Sequence, residues 1–149
     1  MPDSIEKRIP DFRADGYLPE GMYLASEAEV TFRFGSSNRR RRRLILRVRQ
    51  WTNLSRQVKA RRLFIDGSFV TAKVHRNDVD AVVLLPNDFR EQLANGPDAA
   101  TELETMLLAR HPEEVFAAED EYDWEEWVAF FSRTRERDSR KKGLVEIEL

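Results

Sequence analysis

LFIDGSFVTAKVHRNDVDAVVLL, residues 63–85, is the stretch on which the reading of this chain turns. Two apolar runs, residues 63–65 and 79–85, flank a polar segment and predict a strand, a turn and a second strand. Gly67 and Ser68 close the first run, and Asp78 and Asp80 bracket the start of the second. Alternate residues of a strand point to one face, so the spacing predicts that Asp78 and Asp80 project together. Neighbouring carboxylates repel unless positive charge sits between them. Mg²⁺ takes one or two protein carboxylates plus phosphate oxygens and water, which makes Mg²⁺ or Mn²⁺ the expected answer. A Gly-Ser turn lets a phosphate approach the backbone closely and offers N–H groups and a hydroxyl. Together these features predict a site for a metal-bound nucleoside triphosphate: Asp78 and Asp80 hold the metal, and Gly67 and Ser68 receive phosphate. Lys73 and Arg76 lie in the intervening turn, where they can neutralise phosphate charge.

Upstream of this stretch, residues 1–20 carry Pro2, Pro10, Gly16 and Pro19 without periodicity and predict an extended arm pinned by Ile9, Phe12, Tyr17 and Leu18. Ser26 followed by Glu29 has the form of a capping box and places a short helix at about residues 27–34, stopped by Gly35. A long basic helix is expected over residues 36–60, capped by Ser37 or Asn38, with Leu44, Val48, Trp51, Leu54 and Val58 as its apolar stripe. The five arginines of residues 39–43 fall at its first turns, where cations oppose the macrodipole. Downstream, helices are expected over residues 88–94, capped by Asn87, and over about 99–109. A short strand follows over 114–117. A further helix, capped by Asp123 with Glu126, carries Trp124, Trp127, Val128 and Phe131 inward. The closing LVEIEL predicts a half-buried strand with Val145, Ile147 and Leu149 on one face, Leu144 lying outside that pattern. Helices mixed with short strands, without strict alternation, indicate α+β: a small mixed sheet of about four strands backed by helices. The organisation expected is one domain, with residues 63–149 forming the sheet core and its helices.

At 149 residues the chain suits one core. Its 41% hydrophobic and 35% charged residues predict a soluble globular protein, and the net charge of −2 names no partner. Charge distribution says more. The segment from Arg39 to Arg62 holds no acidic residue and that from Glu113 to Glu126 no basic one, either an internal match or a surface for an anion. Solvated or internally paired arginines are favoured over a nucleic-acid site, which stays open. The chain has no cysteine, which excludes disulfides and thiolate chemistry and fits a cytoplasmic setting. No apolar run approaches the roughly 20 residues of a membrane span, and residues 1–12 lack a signal's apolar core. His75 and His111 have no partners at metal-ligand spacing, which argues against a hydrolytic metal site. The tryptophans sit on apolar helical faces and read as core. Asp66 reads as a structural hydrogen-bonding residue.

The order Ile65-Asp66-Gly67-Ser68, a spacer, then Asp78-Val79-Asp80-Ala81 resembles the minimal members of the DNA polymerase beta-like nucleotidyltransferase superfamily. More narrowly, LPEGMYLASEAEVTFRFG, DGSFVTAK, the acidic pair and KKGLVEIEL resemble an uncharacterised prokaryotic family of nucleotidyltransferase-like proteins. The resemblance implies Mg²⁺ and transfer of a nucleotidyl group from a nucleoside triphosphate to a hydroxyl of a protein, RNA or small molecule, in a toxin-antitoxin or defence setting by analogy. It implies a third carboxylate on a later strand, for which Glu114 is the first choice and Glu146 and Glu148 are rivals. It also implies an alternative, a silent fold that binds a protein or nucleic acid. The spacer, residues 69–77, is shorter than the superfamily's commonest version and lacks its glycine. Taken without the resemblance, Asn77-Asp78-Val79-Asp80 is also compatible with ordinary turn chemistry.

Overall fold

The computed structural model describes residues 9–75, 77–96, 98–109 and 114–149. Its framework is a sheet of five strands, β1 (Gly21–Ala25), β2 (Arg62–Asp66), β3 (Asp80–Leu84), β4 (Glu114–Ala118) and β5 (Gly143–Ile147), in the order β1-β5-β2-β3-β4. β2 runs antiparallel to both β3 and β5, while β1 and β4 run parallel to β5 and β3. The helices are α1 (Glu27–Phe34), α2 (Arg39–Gln57), α3 (Phe89–Ala94), α4 (Ala99–Leu108) and α5 (Glu121–Phe131). This is a mixed α+β architecture, with one strand more than the four expected. The addition is β1, whose GMYLA is too short and too exposed to alternate visibly, and which becomes a strand by pairing with the far end of the chain.

Each face of the sheet has its own cover. Leu63, Ile65, Ala81, Val83, Val115, Val145 and Ile147 pack against α1 to α4 through Val30, Phe34, Leu44, Val48, Trp51, Phe89 and Leu103. Phe64, Val82, Leu84, Ala118 and Leu144 face α5, where Trp124 and Phe131 meet the Phe64 ring edge-on at 5.1 and 5.9 Å. Burying each such side chain contributes about 1.5–3 kcal/mol, so the central strands are held from both sides. Leu144, expected to lie outside the pattern, is therefore fully buried, and the closing strand is not half exposed. It sits between β1 and β2 rather than at the edge, so both of its faces are covered.

Helix starts follow local chemistry, with two corrections. Ser26 and Glu29 form the expected reciprocal capping box of α1, and Asn38 Oδ1 accepts the Arg41 N–H at the head of α2. The cap of α5 is Asp120, not Asp123: its carboxylate accepts the Asp123 N–H, so the helix begins earlier. Asn87 does not cap α3; Asp88 occupies that position without a side-chain capping hydrogen bond, its carboxylate instead accepting from Gln92 Nε2. No helix among the described residues is long and apolar enough to cross a membrane.

The arginine run serves the fold in one respect that its charge alone does not announce. Arg41 is buried, and its guanidinium donates to the carbonyls of Phe34, Ser68, Phe69, Thr71 and Lys73, at 2.5 to 3.3 Å. Arg40 Nε donates to the Asn77 carbonyl. The start of α2 thus clamps the loop between β2 and β3. Burial lowers the Arg41 pKa, and carbonyl dipoles, with no carboxylate among the described residues, satisfy its charge. Farther along α2, Arg49 and Arg56 pair with Glu27, whereas the acidic segment around residues 119–123 opens α5.

Candidate functional site

The loop clamped by Arg41 carries Gly67, Ser68 and Asp78 into one small knot. The Ser68 N–H and hydroxyl both donate to Asp78 Oδ1 at 2.8 Å, the Asp78 N–H donates back to Ser68 Oγ, and the Phe69 N–H donates to the Asp78 carbonyl. Gly67 has φ 96, and a Cβ there would lie 2.7 Å from the Asp78 carbonyl oxygen. Glycine is thus required by the return of the Asp78 backbone, a reason unrelated to phosphate. The hydroxyl and N–H that the sequence offers to phosphate are engaged by Asp78 in this conformation. Ser68 opens a single turn of 3₁₀ helix, Ser68–Val70, instead of a plain bend.

Strand register then collects acid. Asp66 of β2 stands opposite Asp80 of β3, and Asp80 stands opposite Glu114 of β4. Paired residues share a face, so the three form one row at the end of the sheet, on the α5 side. Asp80 is half-buried, and its carboxylate has no hydrogen-bond partner among the described residues. Burial first, then the charges of Asp78, Asp66 and Glu114, push its carboxyl up to about 7, against the pull of Arg135. Asp66 is fully buried and receives a hydrogen-bonded ion pair from the equally buried Lys142. Burial raises the Asp66 carboxyl, opposed by Lys142.

The row borders a cleft of about 890 Å³. Asp66, Gly67, Ser68, Lys73, Asp78 and Asp80 line it together with Phe130, Phe131, Arg133, Arg135 and Glu136, and Asp15, Gly16 and Tyr17 join them. Burial, and then the hydrogen bond that Tyr17 donates to Glu136 at 2.7 Å, push its phenol up to about 12. Lys73 is exposed on the cleft, while its backbone carbonyl accepts from Arg41. Arg76 lies outside the described residues, as does His111. Glu114 completes the row without lining the cleft. Glu146 is turned away by a bidentate pair with Arg62 at 2.7 and 2.9 Å. Glu148 lies beyond the end of β5. Among the described residues no three acidic or histidine side chains converge as a ready-made metal centre. The donor set at Asp78 and Asp80 is nonetheless all oxygen, which fits a hard divalent cation completed by phosphate and water.

Sequence reasoning missed Lys142, Arg135 and Phe130. Lys142 carried a faint signal, a lysine directly before an apolar terminal strand. Arg135 and Phe130 reach the cleft only because α5 crosses the sheet beside β3 and β4.

Fold and cleft together define a mixed α+β protein with an acidic, cation-bordered cleft at one end of its sheet. The chain belongs to a family of unknown function, DUF6932, whose model matches residues 10–148. No curated protein and no solved structure matches it.

Proposed function

We propose that this protein is a minimal nucleotidyltransferase, which transfers a nucleotidyl group from a nucleoside triphosphate to a hydroxyl with Mg²⁺ or Mn²⁺. The observation that carries the reading is Asp80: a half-buried carboxylate with no hydrogen bond from another described residue, set beside Asp66, Asp78 and Glu114 and bordering a cleft that also presents Lys73 and Arg135. That concentration of like charge costs free energy which a bound cation would relieve. When bound, divalent cations supply charge neutralisation on the triphosphate and alignment of the entering and leaving oxygens. Asp78 and Asp80 hold them. Ser68 fixes the Asp78 carboxylate through two hydrogen bonds, leaving Oδ2 for a ligand. Lys73 and Arg135 receive phosphate oxygens, and Gly67 keeps the loop close to β3. Glu114, the third carboxylate of the row though outside the cleft lining, takes the proton of the acceptor hydroxyl through an intervening water as the new P–O bond forms and pyrophosphate leaves.

The superfamily resemblance supports this reading, since it too places an acidic pair and a third carboxylate on neighbouring strands beside a Gly-Ser turn. One observation favours a second reading, a silent fold that binds a macromolecular partner: the Ser68 donors are occupied by Asp78. The experiment is incorporation of α-labelled nucleoside triphosphate with Mg²⁺ into protein, RNA or small-molecule acceptors. Asp78→Ala with Asp80→Ala is expected to abolish labelling while the protein stays folded. Full labelling by that variant, or binding of neither nucleotide nor metal by the unaltered protein, defeats the enzymatic reading.

A further inference from the structure

We infer that Phe130 is the platform on which the heterocyclic base of the nucleotide stacks. The inference rests on the nucleotide reading and adds to it a residue that distinguishes a nucleoside phosphate from a bare polyphosphate. Phe130, on the last turn of α5, lines the cleft with 68% of its surface exposed. Exposure alone is ordinary for a surface aromatic; what sets Phe130 apart is that its exposed ring lines the cleft.

Its placement is held from behind. The ring meets Phe131 at 5.0 Å and 85° and Trp127 at 6.1 Å and 87°, both edge-to-face. Trp127 and Phe131 in turn pack on Phe116 of β4, at 4.8 and 5.9 Å. An aromatic cluster anchored to the sheet therefore supports a ring that opens on the same cleft as Asp78 and Asp80. Other exposed apolar residues, Phe32, Leu46, Leu108 and Tyr122, do not line that cleft.

Three chemistries thus share one cavity: an apolar aromatic surface, cations at Lys73 and Arg135, and carboxylates that call for a divalent cation. Bare phosphate leaves the ring in water, and an uncharged aromatic molecule leaves the charged groups without partners. A nucleoside polyphosphate carrying its metal matches all three. Stacking accepts any base because every base has a π-face, so the expected selectivity is for the presence of a base more than for its identity.

The test is calorimetric binding of ATP, CTP and inorganic tripolyphosphate, each with Mg²⁺, to the unaltered protein and to Phe130→Ala and Phe130→Leu. Both substitutions are expected to weaken ATP and CTP by about tenfold or more and to leave tripolyphosphate unchanged. Leu keeps apolar bulk without a π-face, so a loss shared by both variants reports stacking. Unchanged thermal unfolding is expected, because the ring is exposed. ATP affinity equal to that of the unaltered protein in Phe130→Ala overturns the inference while the nucleotide reading stands. Equal affinity in Phe130→Leu alone, or a parallel loss of tripolyphosphate binding, also overturns stacking. Failure of the unaltered protein to bind either ATP or tripolyphosphate removes the nucleotide reading, and the inference with it.

Discussion

Lys142→Met tests whether the buried pair beneath the cleft is built as described. The change keeps most of the apolar stem of the side chain and removes the ammonium group. Asp66 would then be left at 4% exposure, opposite Asp80 and within the field of Asp78. Removing one member of a buried ion pair costs about 3–5 kcal/mol, because the remaining charge loses water and partner together. The two neighbouring carboxylates place this site toward the upper end of that range. With a urea slope of about 2 kcal/mol/M, the midpoint should fall by roughly 2 M. Asp66→Asn with Lys142→Met should lose less than the single change, since no uncompensated charge is left. The loss should also depend on pH. Burial already raises the Asp66 carboxyl, and without Lys142 it rises further. A carboxyl whose folded pKa exceeds its unfolded value binds its proton more readily in the folded state, so stability falls as pH rises between the two values. Lys142→Met should therefore come nearest the unaltered protein in mildly acidic urea titrations and diverge from it in mildly alkaline ones. A midpoint shift below about 0.5 M, or the same loss at both pH values, refutes the buried pair.

Asp80 yields a related test in the unaltered protein. Its carboxyl is raised from 3.8 to about 7, so without metal stability should decline as pH rises through that window. Asp80→Asn should flatten the decline and raise Tm above neutrality, and a steeper decline in differential scanning fluorimetry would contradict the crowding of carboxylates described here. Arg41→Met should cost about 3 kcal/mol in chemical denaturation and speed amide exchange over residues 68–73, because five carbonyls lose their donor. Gly67→Ala should cost about 1–3 kcal/mol, read as a drop in Tm, since both φ 96 and the Asp78 carbonyl oppose a Cβ.

Much of the fold was legible from local pattern. The apolar runs at residues 63–65 and 79–85, the α2 stripe at Leu44, Val48, Trp51, Leu54 and Val58, and the capping chemistry of Ser26 and Asn38 act over a turn or a strand, and the structure buries or bonds them accordingly. Where the reading of strands failed, the cause was long-range. β1 is a strand because β5 lies beside it, and Leu144 is buried because β5 is interior to the sheet. Asp120 displaced Asp123 as a cap through a helix start that composition leaves ambiguous.

The sequence by itself determined the ingredients of the site: a Gly-Ser turn, two aspartates at alternate positions, and apolar strands to carry them. Those are properties of neighbouring residues, and the alternation of side chains along a strand follows from backbone geometry alone. Only the tertiary structure decided which groups meet. Register sets Asp66, Asp80 and Glu114 in one row, Lys142 closes on Asp66 from the far end of the chain, and Glu146 is withdrawn by Arg62. The crossing of α5 brings Phe130 and Arg135 to the cleft. Several of these contacts join residues far apart in the chain, Lys142 and Asp66 by 76 positions, and no local propensity encodes the strand order that makes them neighbours.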